Sequence, residues 1–430
     1  VRRLHERWWK LRRRARLRAL RVSAWLWRRL MLRTTVIAIT GSVGKTTAKQ
    51  CLAAILSARA PTLATLHNRN DWSGVPRTIL RLRPWHRYAV IEIGTAEHGT
   101  MRRNARLVRP DVAIVLAVAS THTDVFRTLD ETAGEKAQLL AALPRRGLAI
   151  LNAGDERVRR MRDGCRGRVE SFDRAPGADA WADEVSARWP ARLALRVHAG
   201  SESQRIQTRL VGTHWLNGIL AALLAARSQG ITLAESAAAL ATVEPFTARM
   251  QPVRLPSGAI VIRDEMNSSP ETWRAALAVL REAAARRRVL IAGDLSDTGK
   301  RSRLRYREVA DHAAESADAA LFIGEHASAA VRRAVARGMD PASVECVIDV
   351  RAAAERLPSL LREGDVALLK GRGTQHLSRA LFAQFGGIGC WKTRCRRHIA
   401  CDVCPELRPA FDLEAALSGV GATPSAVHPC

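Results

Sequence analysis

Seven residues, Gly41-Ser42-Val43-Gly44-Lys45-Thr46-Thr47, have the composition of a loop that holds phosphate. Two glycines let the backbone turn tightly so that its N–H groups point at an anion, the lysine reaches terminal phosphates, and the hydroxyl of Thr46 can bind Mg²⁺. The loop keeps the lysine and hydroxyl of a Walker A motif but not its first glycine, since Ile39 stands there. Lysine is scarce in the rest of the chain. Only Lys10, Lys45, Lys49, Lys136, Lys300, Lys370 and Lys392 occur in an otherwise arginine-rich sequence. A lysine kept in such a chain is a candidate for chemistry that a guanidinium, which stays protonated, cannot do.

The elements around the loop fit this role. Thr35 to Ile39 is a short β-rich run, and Thr46 to Ala58 follows with helical periodicity, giving strand, phosphate loop and helix in order. Further β-like runs at 88–93, 112–117 and 148–151 alternate with helix-length segments, and a second such series runs through 259–263, 289–292, 319–323 and 366–369. The predicted fold class is α/β, a P-loop central domain with a mainly parallel sheet followed by a smaller Rossmann-like C-terminal domain. The expected divisions are a basic amphipathic helix at 1–34, a central domain at 35–248, a C-terminal domain at 249–385 and a Cys-rich tail at 386–430. Glu92 then ends a buried strand, where α/β folds place ligand groups, and its carboxylate with Thr46 suits a hard cation.

Length and charge narrow the function classes. At 430 residues the chain fits two globular domains with appendages, and no run is apolar enough to span a membrane. The N-terminus is too rich in arginine for a cleavable signal peptide, so a cytoplasmic location is expected. A net charge of +28 would ordinarily suggest nucleic acid or an anionic membrane as partner. Thirteen of the cations fall in residues 1–35 against one acid, Glu6, and Trp8, Trp9, Trp25 and Trp27 lie among them. That pattern fits a helix lying peripherally on an anionic membrane, or one packed on the protein itself or on a partner. Nucleic acid is not expected, because no recognition module accompanies the charge. In the tail, Cys390, Cys395, Cys401 and Cys404 crowd together with His398 between them, which leaves open a Zn²⁺ site, an iron–sulfur cluster, or reduced or redox-active thiols.

The loop Thr40-Gly-Ser-Val-Gly-Lys-Thr-Thr47 resembles that of the Mur ligase family, and the resemblance extends over about residues 35–385. It is strongest to the branch that adds D-alanyl-D-alanine to a muramoyl tripeptide. Asn68-Arg-Asn-Asp71 with Gly74-Val-Pro76, Val90-Ile-Glu-Ile-Gly94, Gly212-Thr-His214 with Ala221-Ala222, Asp264-Glu-Met-Asn-Ser-Ser-Pro270, Gly293-Asp294 and Lys370-Gly371 all resemble its motifs. The resemblance implies Mg²⁺ ligands at Thr46, Glu92, His122 and a carbamylated Lys136. It also implies a phosphate-facing Arg249, nucleotide contacts at Asp264 and Asn267, and a substrate role for Lys370. The sequence departs at Gly218, where the family has Asn and Asn217 stands one place earlier. Ser269 replaces another expected Asn, and 293–299 keeps only the outline of its motif. No counterpart of the family's uridine-binding first domain is expected in residues 1–34, which read as the basic helix instead.

The implied activity is an ATP-dependent amide ligase that activates a carboxylate as an acyl phosphate and captures it with an amine. The acid would be peptidoglycan-related, carrier-bound or a specialised metabolite. The other readings are a nucleotide-binding assembly or regulatory protein of the same fold with no ligase activity, and an unrelated P-loop ATPase.

Overall fold

The computed structural model describes residues 2–66, 69–95, 97–119, 125–296, 302–393, 395 and 400–418. By internal contact the chain divides into two units. The first holds residues 1–185, 194–207 and 215–243; the second holds 186–193, 208–214 and 244–430. The short segments 186–193 and 208–214, expected within the central domain, thus group with the C-terminal part. The basic helix groups with the first unit and the tail with the second.

The first unit is built on nine strands: β1 (Thr35–Thr40), β2 (Thr62–Ala64), β3 (Tyr88–Glu92), β4 (Val112–Val115), β5 (Leu148–Asn152), β6 (Arg168–Phe172), β7 (Ala180–Ser186), β8 (Ala194–Ala199) and β9 (Glu202–Gln207). Their spatial order is β2-β3-β1-β4-β5-β6-β7-β8-β9. The pairs from β2 to β7 are parallel, and β8 with β9 is antiparallel. Val36 to Ile39 and Ala89 to Ile91 are wholly buried. This is why these strands read as continuous apolar runs rather than alternating ones: a parallel sheet is covered on both faces. The registers Ile39↔Glu92 and Thr40↔Val115 bring the C-terminal ends of β1, β3 and β4 level.

Five helices matter for the first unit: α1 (Arg2–Leu30), α2 (Lys45–Ser57), α3 (Gly74–Leu80), α4 (Thr100–Val108) and α5 (Leu129–Ala137). The C-terminal part of α1 packs on α3 and α4. Arg28 fastens it there, donating to the carbonyls of Val108, Met31 and Arg109 at 2.7, 3.1 and 3.0 Å. The Trp27 indole N–H donates to Leu82 O at 3.0 Å, and Arg21 lies 4.0 Å over the Trp72 ring. Packing on the protein itself, one of the readings of the basic segment, therefore accounts for one face of α1.

The second unit carries a six-stranded sheet of β10 (Gln251–Arg254), β11 (Ile260–Asp264), β12 (Arg287–Ala292), β13 (Ala319–Ile323), β14 (Val344–Val347) and β15 (Asp365–Lys370). The order is β10-β11-β15-β12-β13-β14, parallel except for the β10–β11 pair. The tail closes on this unit. Leu407 and Cys401 join its apolar core, and Gly389 N donates to Leu407 O at 2.6 Å.

Candidate active site

The chain leaves β1 at Gly41, whose φ is 153°, and enters α2 through Gly44 in the left-handed region at 83°. A Cβ on Gly41 would stand 2.9 Å from Leu116 Cβ, so only glycine lets the loop lie against the end of β4. Ser42 pins the turn: its N–H donates to Ala117 O at 2.8 Å, and its hydroxyl accepts from Ala119 N at 2.9 Å. The N-terminal amides of α2 thus begin at a fixed concave turn, the arrangement that binds phosphate. Lys45 stays at this turn, donating from Nζ to Gly41 O at 2.6 Å and Ser42 O at 3.3 Å.

Glu92 ends β3 beside this turn and is 1% exposed. The Thr46 hydroxyl lies 3.4 Å from its Oε2 and Lys49 Nζ 3.3 Å from the same atom, while Asn70 Nδ2 donates to Oε1 at 2.6 Å. Gly94 makes room for Asn70, since a Cβ there would sit 2.7 Å from Asn70 Oδ1. Sequence reasoning assigned no role to Lys49 or Asn70. Lys49 is wholly buried and supplies the countercharge that a buried carboxylate needs. The available signal was its place one helical turn after Lys45, on the same face of α2.

Lys136 occupies the last turn of α5 and is 2% exposed. The helix is held at its start by Thr128, whose hydroxyl accepts from Glu131 N at 3.1 Å, while Glu131 accepts in return from Arg127 N at 2.9 Å. Glu135 accepts from Gly99 N and Met101 N at 2.9 and 2.8 Å, fixing α5 to the start of α4. Lys136 Nζ donates to Thr95 Oγ1 at 3.3 Å. Burial, and after it the positive charge of Lys45, push its pKa down to about 7, with Glu135 opposing. The geometry therefore gathers Lys45, Thr46, Glu92 and Lys136 into one site. His122 and Asn68 lie outside the described residues.

A second cluster forms in the other unit where β11 and β15 end at the register pair Asp264↔Lys370. Lys370, wholly buried, donates from Nζ to the Asp264 carboxylate and to Asn267 O at 3.0 Å, with the Trp273 ring 5.7 Å away. Burial lowers the Lys370 pKa and Asp264 counters it; burial likewise raises that of Asp264, opposed by Lys370 and then Arg249. Arg249 stands between Ala248 and Met250, both left-handed at φ 54° and 50°. Such conformations in residues with a side chain cost about 1 kcal/mol or more each and persist where surrounding structure imposes them. Asp294 holds Arg305 through two bonds of 2.9 and 2.8 Å, and Gln375 accepts from Asp294 N at 2.8 Å. A Cβ on Gly293 would meet that Gln375 oxygen at 2.4 Å, which explains the glycine.

The departure at 218 acquires a local reason, and nothing in the structure explains that at 269. A Cβ at Gly218 would lie 3.2 Å from Ala48 N, so glycine permits helix Leu216–Arg227 to approach α2 closely. Asn217 Oδ1 is buried without a hydrogen-bond partner among the described residues. Ser269 precedes helix Pro270–Glu282 but its side chain makes no cap bond.

The zinc reading of the tail, one of three left open, gains no support from the described residues. Among the described residues no three of His, Cys, Asp and Glu come together as a metal site. Cys401 is instead turned into the core, where its sulfur accepts from Arg379 Nε at 3.3 Å and lies 3.4 Å from His376 Nδ1. The adjacent Asp402 binds the wholly buried Arg263 at 2.8 and 3.1 Å, and Glu265 takes the same guanidinium at 2.6 Å. Asp402→Ala should lower stability by about 3 kcal/mol, because a buried arginine loses half its countercharge. A melting temperature unchanged from the parent protein would contradict that assignment.

Comparison with known proteins agrees with this geometry. The model of the Mur ligase middle domain matches residues 39–226, and that of the Mur ligase glutamate ligase domain matches 248–373. The UDP-N-acetylmuramoyl-tripeptide--D-alanyl-D-alanine ligase of Escherichia coli (strain K12) is 31% identical over 353 residues, 81% of this chain and 76% of the relative. The chain belongs to the Mur ligase family. The ligase of the same name from Mycobacterium tuberculosis (strain H37Rv) is 29% identical over 381 residues, covering 84% of this chain and 74% of its own length. A crystal structure of MurF from Acinetobacter baumannii superposes with a TM-score of 0.78 at 27% identity, covering 85% of this chain and 79% of that one. As a Mur ligase the chain is an ATP-dependent enzyme that forms carbon–nitrogen bonds.

Proposed function

We propose that this Mur ligase joins a peptidoglycan-related or other carrier-bound carboxylate to an amine, using Lys136 in carbamylated form. The observation that carries the reading is the buried Lys136, with a pKa of about 7, beside the phosphate loop and Lys45. A carbamate forms only from an uncharged amine, and this lysine is uncharged in a large fraction near neutrality.

The residues fit Mg²⁺: Thr46 and Glu92 present oxygen donors 3.4 Å apart, the ligand type a hard cation takes. They would hold one ion, and carbamylated Lys136 with His122 a second. Bound there, Mg²⁺ neutralises phosphoryl and carboxylate oxygens. The amides from Val43 to Thr47 bind the nucleotide phosphates, with Gly41 and Ser42 shaping the turn, and Lys45 offsets the charge of the terminal ones. Lys49 and Asn70 hold Glu92 in place. In the second unit, Asp264 and Asn267 serve the nucleotide, while Arg249 and Lys370 offer cations to substrate or phosphate oxygens. The γ-phosphoryl group passes to the acid, and the amine displaces phosphate to give the amide. The proposal includes a peripheral place on an anionic membrane surface through α1.

The test is mass spectrometry of products after incubation with ATP, Mg²⁺ and paired pools of acids and amines. The pools should include a muramoyl tripeptide acid and D-alanyl-D-alanine. An amide product formed with one ADP per bond is expected. ATP hydrolysis with no amide from any pool would favour the assembly-protein reading.

A further inference from the structure

Helix α1 carries two apolar faces. Ala24 and Trp27, with Arg28, lie on the packed face against α3 and α4. Centred about 150° round the helix, at roughly 100° per residue, stand Val22, Leu26 and Leu30. All three are exposed, Leu30 to 67%, with Trp25 beside them and Leu32, 86% exposed, just past the helix end. Trp8 falls on the same line, 18 residues or five turns before Leu26, and it is exposed too. Arginines stack on both outer tryptophans, Arg12 at 3.9 Å over Trp8 and Arg29 at 3.4 Å over Trp25.

Where α1 ends, a cavity of about 260 Å³ is lined by Arg28, Arg29, Arg109 and Arg146, with Asp111 its one acid and Leu32 at its edge. Arg28 is committed to backbone carbonyls and lies 3.8 Å from Asp111. Arg29 is committed to Trp25, stacked on its ring and donating to its carbonyl at 3.0 Å, which leaves Arg109 and Arg146 in the lining without an acid of their own. Desolvation lowers the pKa of both Arg28 and Arg29, Asp111 opposes it at Arg28, and the like charge of Arg109 adds to the lowering at both.

We propose that the outer face of α1 seats on an anionic phospholipid surface, with Val22, Leu26, Leu30 and Leu32 in the interfacial layer and a lipid phosphate at Arg109 and Arg146. This deepens the peripheral reading by naming the contact face and the headgroup site. The partner follows from charge and shape. Thirteen cations against one acid in residues 1–35 complement an anionic surface, and the tryptophans suit headgroup depth. Among the described residues no helix is long and apolar enough to cross a membrane, so the helix lies in the surface rather than through it.

Co-sedimentation with vesicles of phosphatidylglycerol and phosphatidylcholine, against phosphatidylcholine alone, tests the assignment. The full chain should partition at least about tenfold more onto the anionic vesicles and be released as salt rises. V22S/L26Q/L30Q should lower partitioning about tenfold, since three apolar contacts are lost. R109A/R146A should lower it by roughly fivefold and flatten the salt dependence. Both variants should melt with the parent protein, because the altered side chains lie off the packed face. Binding that persists undiminished in both variants overturns this face while leaving a peripheral role; no binding by the parent protein overturns both. A triple variant that is monomeric where the parent is dimeric would show that a second copy covers the stripe. Release from vesicles by millimolar inorganic phosphate would make the pocket a site for a soluble anion and sink the lipid assignment.

Discussion

Lys136→Ala is expected to slow amide formation by about a thousandfold, some 4 kcal/mol of transition-state stabilisation, while ATP still binds. The phosphate loop is untouched by the change, whereas the proposed carbamate oxygens are lost. Short carboxylic acids such as acetate should restore part of the rate by entering the space and supplying oxygen ligands. The parent protein, incubated with ¹³C-bicarbonate, should show a carbamate carbon signal that Lys136→Ala lacks. That signal should grow as pH rises through about 7, because the uncharged amine is the reactive form. Stability carries the same sign. The folded pKa lies below the ordinary 10.5, so the unfolded chain binds more protons between about 7 and 10.5, and the burden on folding is relieved as pH rises through that window. Lys136→Ala should flatten this slope. A variant ligating at the parental rate, with no carbamate signal in the parent, would remove the metal assignment at Lys136.

Lys45→Ala should abolish ATP turnover, by about a thousandfold or more, without unfolding the chain. Its ammonium donates to Gly41 O and Ser42 O and stands at the turn where phosphate charge must be offset. The second consequence is less obvious. The positive charge of Lys45 helps to depress the pKa of Lys136, so its removal should shift the carbamate signal to higher pH. Isothermal titration with a non-hydrolysable ATP analogue and the bicarbonate spectrum check the two effects separately. Unimpaired turnover in a folded Lys45→Ala protein would displace the loop from the reaction.

The phosphate loop was legible because glycine, lysine and hydroxyl spacing is a local signal flanked by an apolar run and a helical period. Glu92 was legible for the same reason, as the end of a buried run. Lys136 needed the scarcity of lysine and the family resemblance, since its burial depends on a distant packing of α5 against α4. Lys49 escaped because a buried lysine and an exposed one look alike until the strand bearing Glu92 is seen beside it. Arg263 and Asp402 are 139 positions apart, and no periodicity links them. The role of the cysteine cluster was not legible, because close spacing in sequence says nothing of direction: Cys401 points to Arg379 and the core. The basic helix was legible as amphipathic through the stripe of Trp8, Val22, Leu26 and Leu30, but its packed face, with Ala24 and Trp27, emerges only once α3 and α4 are seen beside it.

The placement of β1 has a bearing on how the enzyme breathes. Its strand neighbours are β3 on one edge and β4 on the other, so its amides are screened from both sides while the phosphate turn hangs from its end. Opening of the outlying β8–β9 ribbon can proceed without loosening that attachment. In deuterium exchange the amides of Val36 to Thr40 should belong to the slowest class. Those of Val43 to Lys45 should exchange quickly and slow only with nucleotide, so that occupancy can be read from a few amides against a silent background.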